Sequence, residues 1–188
     1  QDTAGPLARS VADVALVLAA IAGLDPDDPV TGAQPKNPLA DLESLDSATL
    51  EGARIGVARN YCGFHEGVDA IVATALQALA QAGADIIDDL ELVSTETVRP
   101  SESEVMATEF KDGINRYLAA LGPGAPVSSL DDLIAYNRAH AERVMPYFQQ
   151  ELFERAAAKG PLGNEEYRQA LAQSRQLTRE AGIDALCL

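Results

Sequence analysis

A strand–helix–strand pattern between Arg54 and Ile87 constrains the fold of this 188-residue chain more than any other feature. The runs 54–58 and 84–87 are short and apolar, which is typical of buried strands. Between them Gly83 ends a stretch whose apolar residues recur at helical spacing: Val68, Ile71, Val72, Ala75, Leu76, Leu79 and Ala80. Two strands joined by a helix are almost always parallel, with a right-handed connection. The sequence therefore predicts an α/β fold.

The segments on either side of this unit carry helix signals. Ser10 and Asp13 form a capping box before an apolar helix that we expect to end at Gly23, and its apolar character on most faces predicts burial between layers. Further helix starts are predicted in the second half, and a final strand is predicted over 183–188. The predicted starts are caps at Ser101, Ser129 and Asn164 and a first helical turn at Pro146. We therefore expect a helix-rich second half, with the stripe Met106, Phe110, Ile114, Tyr117, Leu118 and Leu121 in the core.

Composition excludes several classes of function. The chain has 14 basic and 29 acidic residues and a formal net charge of −15, whereas nucleic acid or an anionic membrane needs a basic footprint. Cys62 and Cys187 match no metal or redox spacing, and two cysteines make no disulfide framework, so a cytoplasmic location is expected. No apolar run is long enough to span a membrane. The length fits one domain or one lobe.

Individual reactive side chains point to no site by themselves. His65-Glu66 and His140-x-Glu142 are too far apart for a metal site, so neither a metal nor an organic cofactor is predicted. Cys62 has no evident base beside it and is interpreted as an inert small hydrophobe. Glu109 is interpreted as a helix-surface carboxylate.

Four motifs nevertheless carry a resemblance that spans nearly the whole chain. They are Asp2-Thr3-x-Gly5-Pro6-x-x-Arg9-Ser10-Val11-x-Asp13, Asp25-Pro26-x-Asp28-Pro29, Leu50-x-Gly52-x-Arg54-Ile55-Gly56-Val57, and the close from Tyr167 through Gly182-Ile183-Asp184-Ala185-Leu186. In this order they resemble the amidase-signature family. Phe148-x-Gln150-Glu151 is similar to amidases that act on peptide or amino-acid amides.

The resemblance implies mixed sheet strands covered by helices, and hydrolysis of a carboxamide through a serine acyl-enzyme without metal or cofactor. In the family a second serine on a cis peptide bond and a lysine activate that serine, and a Gly/Ser-rich loop holds the oxyanion. Ser128-Ser129 lacks flanking glycines, and the lysines at 36, 111 and 159 stand in no matching context. We therefore expect residues 1–188 to be the C-terminal portion of a single amidase-signature domain. Both ends are expected to be internal to a longer chain, with the catalytic part upstream of Gln1 and no activity in this portion alone.

Four residues are candidates for the neighbourhood of the substrate. Asp2 and Thr3 match positions that follow the family's catalytic loops, although they equally suit a turn before the Gly5-Pro6 helix start. Tyr61 and Phe64 lie in a loop after the carboxyl end of a predicted parallel strand, where α/β folds bind ligands. An ordinary surface loop is the alternative for that segment.

Two other functions remain open alongside the amidase. One is a subunit of a tRNA-dependent amidotransferase, which works with partner proteins; the other is a non-catalytic binding or scaffold module. The expected partner of the full protein is a small-molecule or peptide amide. Self-association through an exposed face of the sheet is expected for this portion by itself, because large apolar patches recruit partners.

Overall fold

The computed structural model describes residues 4–33 and 49–187 of the chain. Its two strands are β1 (Arg54–Ala58) and β2 (Asp85–Leu90), which form a two-stranded parallel sheet. The helices in chain order are α1 (Val11–Ile21), α2 (Glu66–Gln81), α3 (Thr95–Ala120), α4 (Leu130–Ala139), α5 (Ala141–Val144), α6 (Glu151–Ala157), α7 (Glu165–Arg175) and α8 (Asp184–Leu186). A π-helical segment, Gln176–Ile183, joins α7 to α8, and short 3₁₀ turns occupy Pro29–Ala33 and Arg59–Tyr61. The predicted α/β class and the helix-rich second half are confirmed.

The chain divides into two compact units, of which the first comprises residues 1–55 and 67–87. Within it the start of β2 is bound to the segment before β1: Asp85 donates its backbone N–H to the carbonyl of Ala53 at 2.8 Å, and Gly52 donates to Gly83 at 3.0 Å. Gly83 follows α2 with a φ of 98°, and a Cβ there would lie 3.0 Å from the Cα of Glu51. A glycine is therefore required where the chain turns into β2.

Helix α1, also in this unit, has the predicted start. The Ser10 hydroxyl accepts from the Asp13 backbone N–H at 3.1 Å. Its predicted burial is wrong for the residues that the structure describes, because none of its side chains is buried and Leu16 is 65% exposed. Gly23 also lacks the expected positive φ, since the helix passes into an extended Ala22.

The second unit comprises residues 56–66 and 88–188 and is built around the long helix α3. This helix packs on α4, α6 and α7. The buried cluster is contributed by α3, α4 and α6, and consists of Ala107, Leu130, Ile134 and Ala156. Phe110 stacks on Phe153 with ring centroids 5.5 Å apart, and the Tyr167 hydroxyl donates to Glu109 at 2.8 Å. Glu109 is thus half-buried and holds α3 to α7, instead of lying free on the helix surface.

Three predicted elements and one predicted buried face in this unit are wrong for identifiable reasons. Helix α3 begins two turns before Ser101, because Ser94 accepts from the Thr97 backbone N–H and caps it first. Pro146 lies in a bend outside any helix, and α6 begins only at Glu151. The described part of the strand predicted over 183–188 is not a strand, since Ile183 ends the π-helical segment that continues α7 and α8 follows it directly. Most of the predicted core stripe of α3 is exposed, because its buried face runs instead through Val98, Ser101, Val105 and Thr108.

Candidate functional site

The loop that follows β1 is fastened to the end of β2 and to the segment after it. The Arg59 guanidinium binds the Asp88 carboxylate through two contacts, Nε to Oδ1 at 2.5 Å and Nη2 to Oδ2 at 2.7 Å. This bidentate hydrogen bond raises the pKa of Arg59, so the guanidinium stays charged. The pair fixes the loop at the point where the two strands end.

Two further residues of the loop form hydrogen bonds with the segment after β2. The Asn60 side chain donates to the Leu92 carbonyl at 2.8 Å and accepts from the Leu92 N–H at 3.1 Å. The Tyr61 hydroxyl donates to the Val93 carbonyl at 2.7 Å. The side chains of Asn60 and Tyr61 thereby extend the backbone pairing of the strands past their ends. The loop after β1 is consequently held in one position by five hydrogen bonds to 88–93.

A cavity of about 220 Å³ opens beside this fastened loop. Its wall comes from the loops after the two strands, the first two turns of α3 and the π-helical segment. The lining residues are Tyr61, Leu92, Val93, Thr95, Val98, Glu102, Thr178 and Ile183. The carboxyl ends of parallel strands are where open α/β sheets bind their ligands. We therefore take this cavity, called the strand-end pocket below, as the candidate functional site.

Some polar groups of the strand-end pocket already have hydrogen-bond partners within the protein. The Tyr61 hydroxyl donates to the Val93 carbonyl, and the Thr178 hydroxyl donates to the Ser174 carbonyl at 2.8 Å. The Glu102 carboxylate, half-buried, has no hydrogen bond or ion pair to any residue that the structure describes. Among the described residues 4–33 and 49–187, Glu102 is thus the one acidic or basic side chain that lines this mostly apolar pocket.

The four candidate residues from the sequence meet different outcomes. Tyr61 lines the strand-end pocket, whereas Phe64 is 82% exposed and does not. Asp2 and Thr3 lie outside the described residues. A role in substrate binding stays a prediction for all four. The sequence patterns did not single out Glu102, although its position one helical turn after Val98 places both side chains on the same face of α3.

A second cavity, of about 510 Å³, is less suited to a ligand because its charged groups serve the fold. Lys111 donates to the carbonyls of Ala157 and Lys159 at 2.8 and 2.5 Å, at the end of α6. Lys159 binds Glu104, and this hydrogen bond raises the pKa of Lys159. Arg116 pairs with Asp112 one turn away at 2.9 Å. The two described lysines thus have structural roles, and Lys36 lies outside the described residues.

The remaining sequence candidates are also accounted for structurally. Ser129 caps α4 by accepting from the Asp132 N–H at 3.1 Å, while the Ser128 hydroxyl and N–H both donate to the Asp132 carboxylate. His140 stacks on Tyr136 with centroids 4.2 Å apart. No group of three histidine, cysteine or acidic residues among the described residues is placed to hold a metal. Within the same residues, none of the helices combines the length and apolar character needed to cross a bilayer.

Comparison with known proteins gives one consistent result. A family model described as Amidase matches residues 1–186. A probable amidase from Arabidopsis thaliana is 32% identical over 193 residues, which cover 99% of this chain and 36% of that protein. One subunit of the glutamyl-tRNA(Gln) amidotransferase from Xanthobacter autotrophicus is 34% identical over 118 residues, 62% of this chain and 23% of that protein.

Solved structures agree with the sequence relatives. The native peptide amidase from Stenotrophomonas maltophilia superposes with a TM-score of 0.86 at 39% identity, covering 98% of this chain and 38% of that one. An amidase family protein from Bacillus anthracis gives a TM-score of 0.73 at 26% identity, covering 93% of this chain and 34% of that one. The chain therefore spans less than two fifths of the length of each of these relatives.

Proposed function

The chain belongs to the amidase family, and on that premise we propose that it is the C-terminal portion of a hydrolase that converts a carboxamide and water to a carboxylate and ammonia. The observation that carries the proposal is the likeness over 98% of the chain, at 39% identity, to a peptide amidase. Peptide amides or amino-acid amides are the substrates we infer. A cytoplasmic location and independence from metal or cofactor remain parts of this proposal.

We assign the nucleophile of the proposed serine acyl-enzyme to a segment upstream of residue 1. The structural uses of the local candidates support this assignment: Ser128 and Ser129 are engaged at the start of α4, and Lys111 and Lys159 bind carbonyls and a carboxylate. A serine attacks an amide only when a base takes its proton. In this proposal residues 1–188 contribute sheet strands, covering helices and part of the substrate-side wall.

Amide hydrolysis by the full-length protein tests the proposal. Ammonia release from Nα-acetylated amino-acid amides should be measured with the full-length protein and, in parallel, with the 188-residue chain. We expect turnover only with the full-length protein. A fluorophosphonate probe should then label one serine, mapped by peptide mass spectrometry to the segment before Gln1. Turnover by the 188-residue chain, or labelling of Ser128 or Ser129, would contradict the assignment.

A component of a tRNA-dependent amidotransferase is the second candidate, since the chain is 34% identical over 118 residues to a subunit of one such enzyme. The match to a peptide amidase over nearly the whole chain favours the free hydrolase. The two differ in their need for partners. A protein purified alone that hydrolyses simple amides supports the hydrolase, whereas glutamine-dependent activity that appears only with co-purifying proteins supports the alternative.

A further inference from the structure

We propose that the strand-end pocket is a subsite for a substrate side chain with an aliphatic stem and a cationic end, as in lysine or arginine, and that Glu102 selects the cation. This inference rests on the proposed function, because it names the class of amide that the enzyme would prefer. It is argued from the size of the pocket, its apolar wall and the state of its carboxylate.

The size of the pocket fits part of a ligand. Sites that enclose a whole small molecule measure roughly 300–1,000 Å³, whereas the strand-end pocket measures about 220 Å³. Tyr61, one of its lining residues, is held in place by the hydrogen bond to Val93. A pocket of this size suits one side chain of a longer substrate.

The wall of the pocket suits an aliphatic stem. Val98 lines the pocket and is buried, Leu92 and Val93 are contributed by the loop after β2, and Ile183 comes from the π-helical segment. Lysine and arginine side chains place their methylene groups against such surfaces while their charged ends reach a polar partner. An acidic side chain would lose its water here and meet a second negative charge.

The carboxylate of Glu102 supplies that polar partner. It has no counter-ion among the described residues: Arg99, one turn earlier on α3, makes no ion pair with it, and the hydroxyls of Tyr61 and Thr178 donate elsewhere. A half-buried carboxylate without a partner is poorly compensated, and a bound ammonium or guanidinium would give it a charge-assisted hydrogen bond. The pocket therefore discriminates by charge as well as by shape.

Three amides with the same four-carbon side-chain stem separate the contributions of stem and charge. Nα-acetyl-lysinamide carries the side-chain ammonium, Nα-acetyl-norleucinamide lacks it, and free norleucinamide carries an α-ammonium instead. For the full-length protein, kcat/KM and Kd should both be measured for each. We expect a preference of about tenfold for Nα-acetyl-lysinamide over the other two, the size of one charged contact.

The variant Glu102→Gln keeps the shape and removes the charge. We expect it to lose about tenfold on Nα-acetyl-lysinamide and to stay within about twofold on Nα-acetyl-norleucinamide. Glu96→Gln is the matched control, because Glu96 lies in the first turn of α3, is exposed and does not line the pocket. This control should leave all three values unchanged.

The results of this experiment distinguish failure of the subsite from failure of the proposed function. Equal values for the lysine and norleucine amides in the unmodified protein, a stronger preference for free norleucinamide, or equal losses on both acetylated amides in Glu102→Gln would each overturn the subsite. Failure of the proposed function is recognised separately, as absence of hydrolysis of every amide. In that case the Kd values still decide the subsite, because a preference that Glu102→Gln removes supports it and the lack of one overturns it.

Discussion

At the scale of single residues, burial and pairing separate side chains that the sequence presents alike. Tyr61 and Phe64 are equivalent candidates on one loop by sequence, yet only Tyr61 donates to Val93 and lines the strand-end pocket. Glu102 and Glu109 both lie on α3, but Glu109 accepts from Tyr167, while Glu102 makes no hydrogen bond to any residue that the structure describes. The spacing of these two residues along the helix can be predicted from the sequence. The hydrogen bond between Glu109 and Tyr167 cannot, because it depends on how α7 packs against α3.

Lys111 shows how a half-buried cation stabilises the second unit. Its ammonium binds two carbonyls at the end of α6, where the helix dipole also favours a positive charge. Replacing it with Met leaves both carbonyls without this donor. We expect Lys111→Met to lower the free energy of unfolding by about 1.5–3 kcal/mol, measured by urea unfolding of the full-length protein.

Arg116→Met is the matched control for that measurement. Arg116 lies on the same helix and pairs with Asp112, but its side chain is 77% exposed. Exposed ion pairs contribute about 1 kcal/mol or less. If both variants lower the free energy of unfolding equally, the contact of Lys111 with the end of α6 contributes no more than an exposed ion pair.

At the scale of elements, local capping chemistry is the most reliable guide. Ser10, Ser129 and Asn164 each accept from the backbone N–H three residues on, as their positions before apolar runs predict. Ser101 has the same local pattern but lies inside α3, because Ser94 has already started that helix. The prediction for the last segment fails for a different reason. A strand needs a neighbour, whereas residues 183–186 continue the helical path that precedes them.

The start of α4 gives an element-scale prediction about pH. Hydrogen bonds from the hydroxyl and backbone of Ser128, and from Ser129, lower the pKa of Asp132 below its usual 3.8. A lowered pKa in the folded state means that the charged carboxylate stabilises the fold above the unfolded value, and that this contribution is lost as pH falls through the lowered pKa. We expect the stability difference between the unmodified protein and Asp132→Asn to be constant above about pH 5 and to shrink towards zero below it.

Thermal unfolding of the full-length protein across this pH range provides the measurement. Asp131→Asn is the control, because Asp131 is exposed in the same turn and makes no hydrogen bond or ion pair among the described residues. Its difference from the unmodified protein should vary less with pH. A difference for Asp132→Asn that grows on acidification would contradict the assigned sign.

At the scale of the whole molecule, the family is readable from the sequence while its packing is not. The motifs around Gly5-Pro6 and Arg54–Val57 lie within the matched residues 1–186. The predicted burial of α1 follows from its apolar composition, yet none of its side chains is buried in the part of the chain that the structure describes. Burial depends on which surfaces meet. A chain that spans 36–38% of its relatives does not contain all the surfaces that those relatives bring together.

The exposed apolar residues lead to a prediction for the 188-residue chain by itself. Leu16 and Ile21 of α1 are 65% and 56% exposed, which gives the chain apolar surface besides the sheet face named in the sequence analysis. Apolar surface of this kind drives association, since burying it releases about 25 cal/mol per Å². We expect sedimentation velocity to show species larger than the 19.8 kDa monomer. Leu16→Glu with Ile21→Glu should shift the distribution towards the monomer. Gln77→Glu, which adds a charge to the exposed side of α2, should not, and a chain that is monomeric without any substitution would refute the prediction.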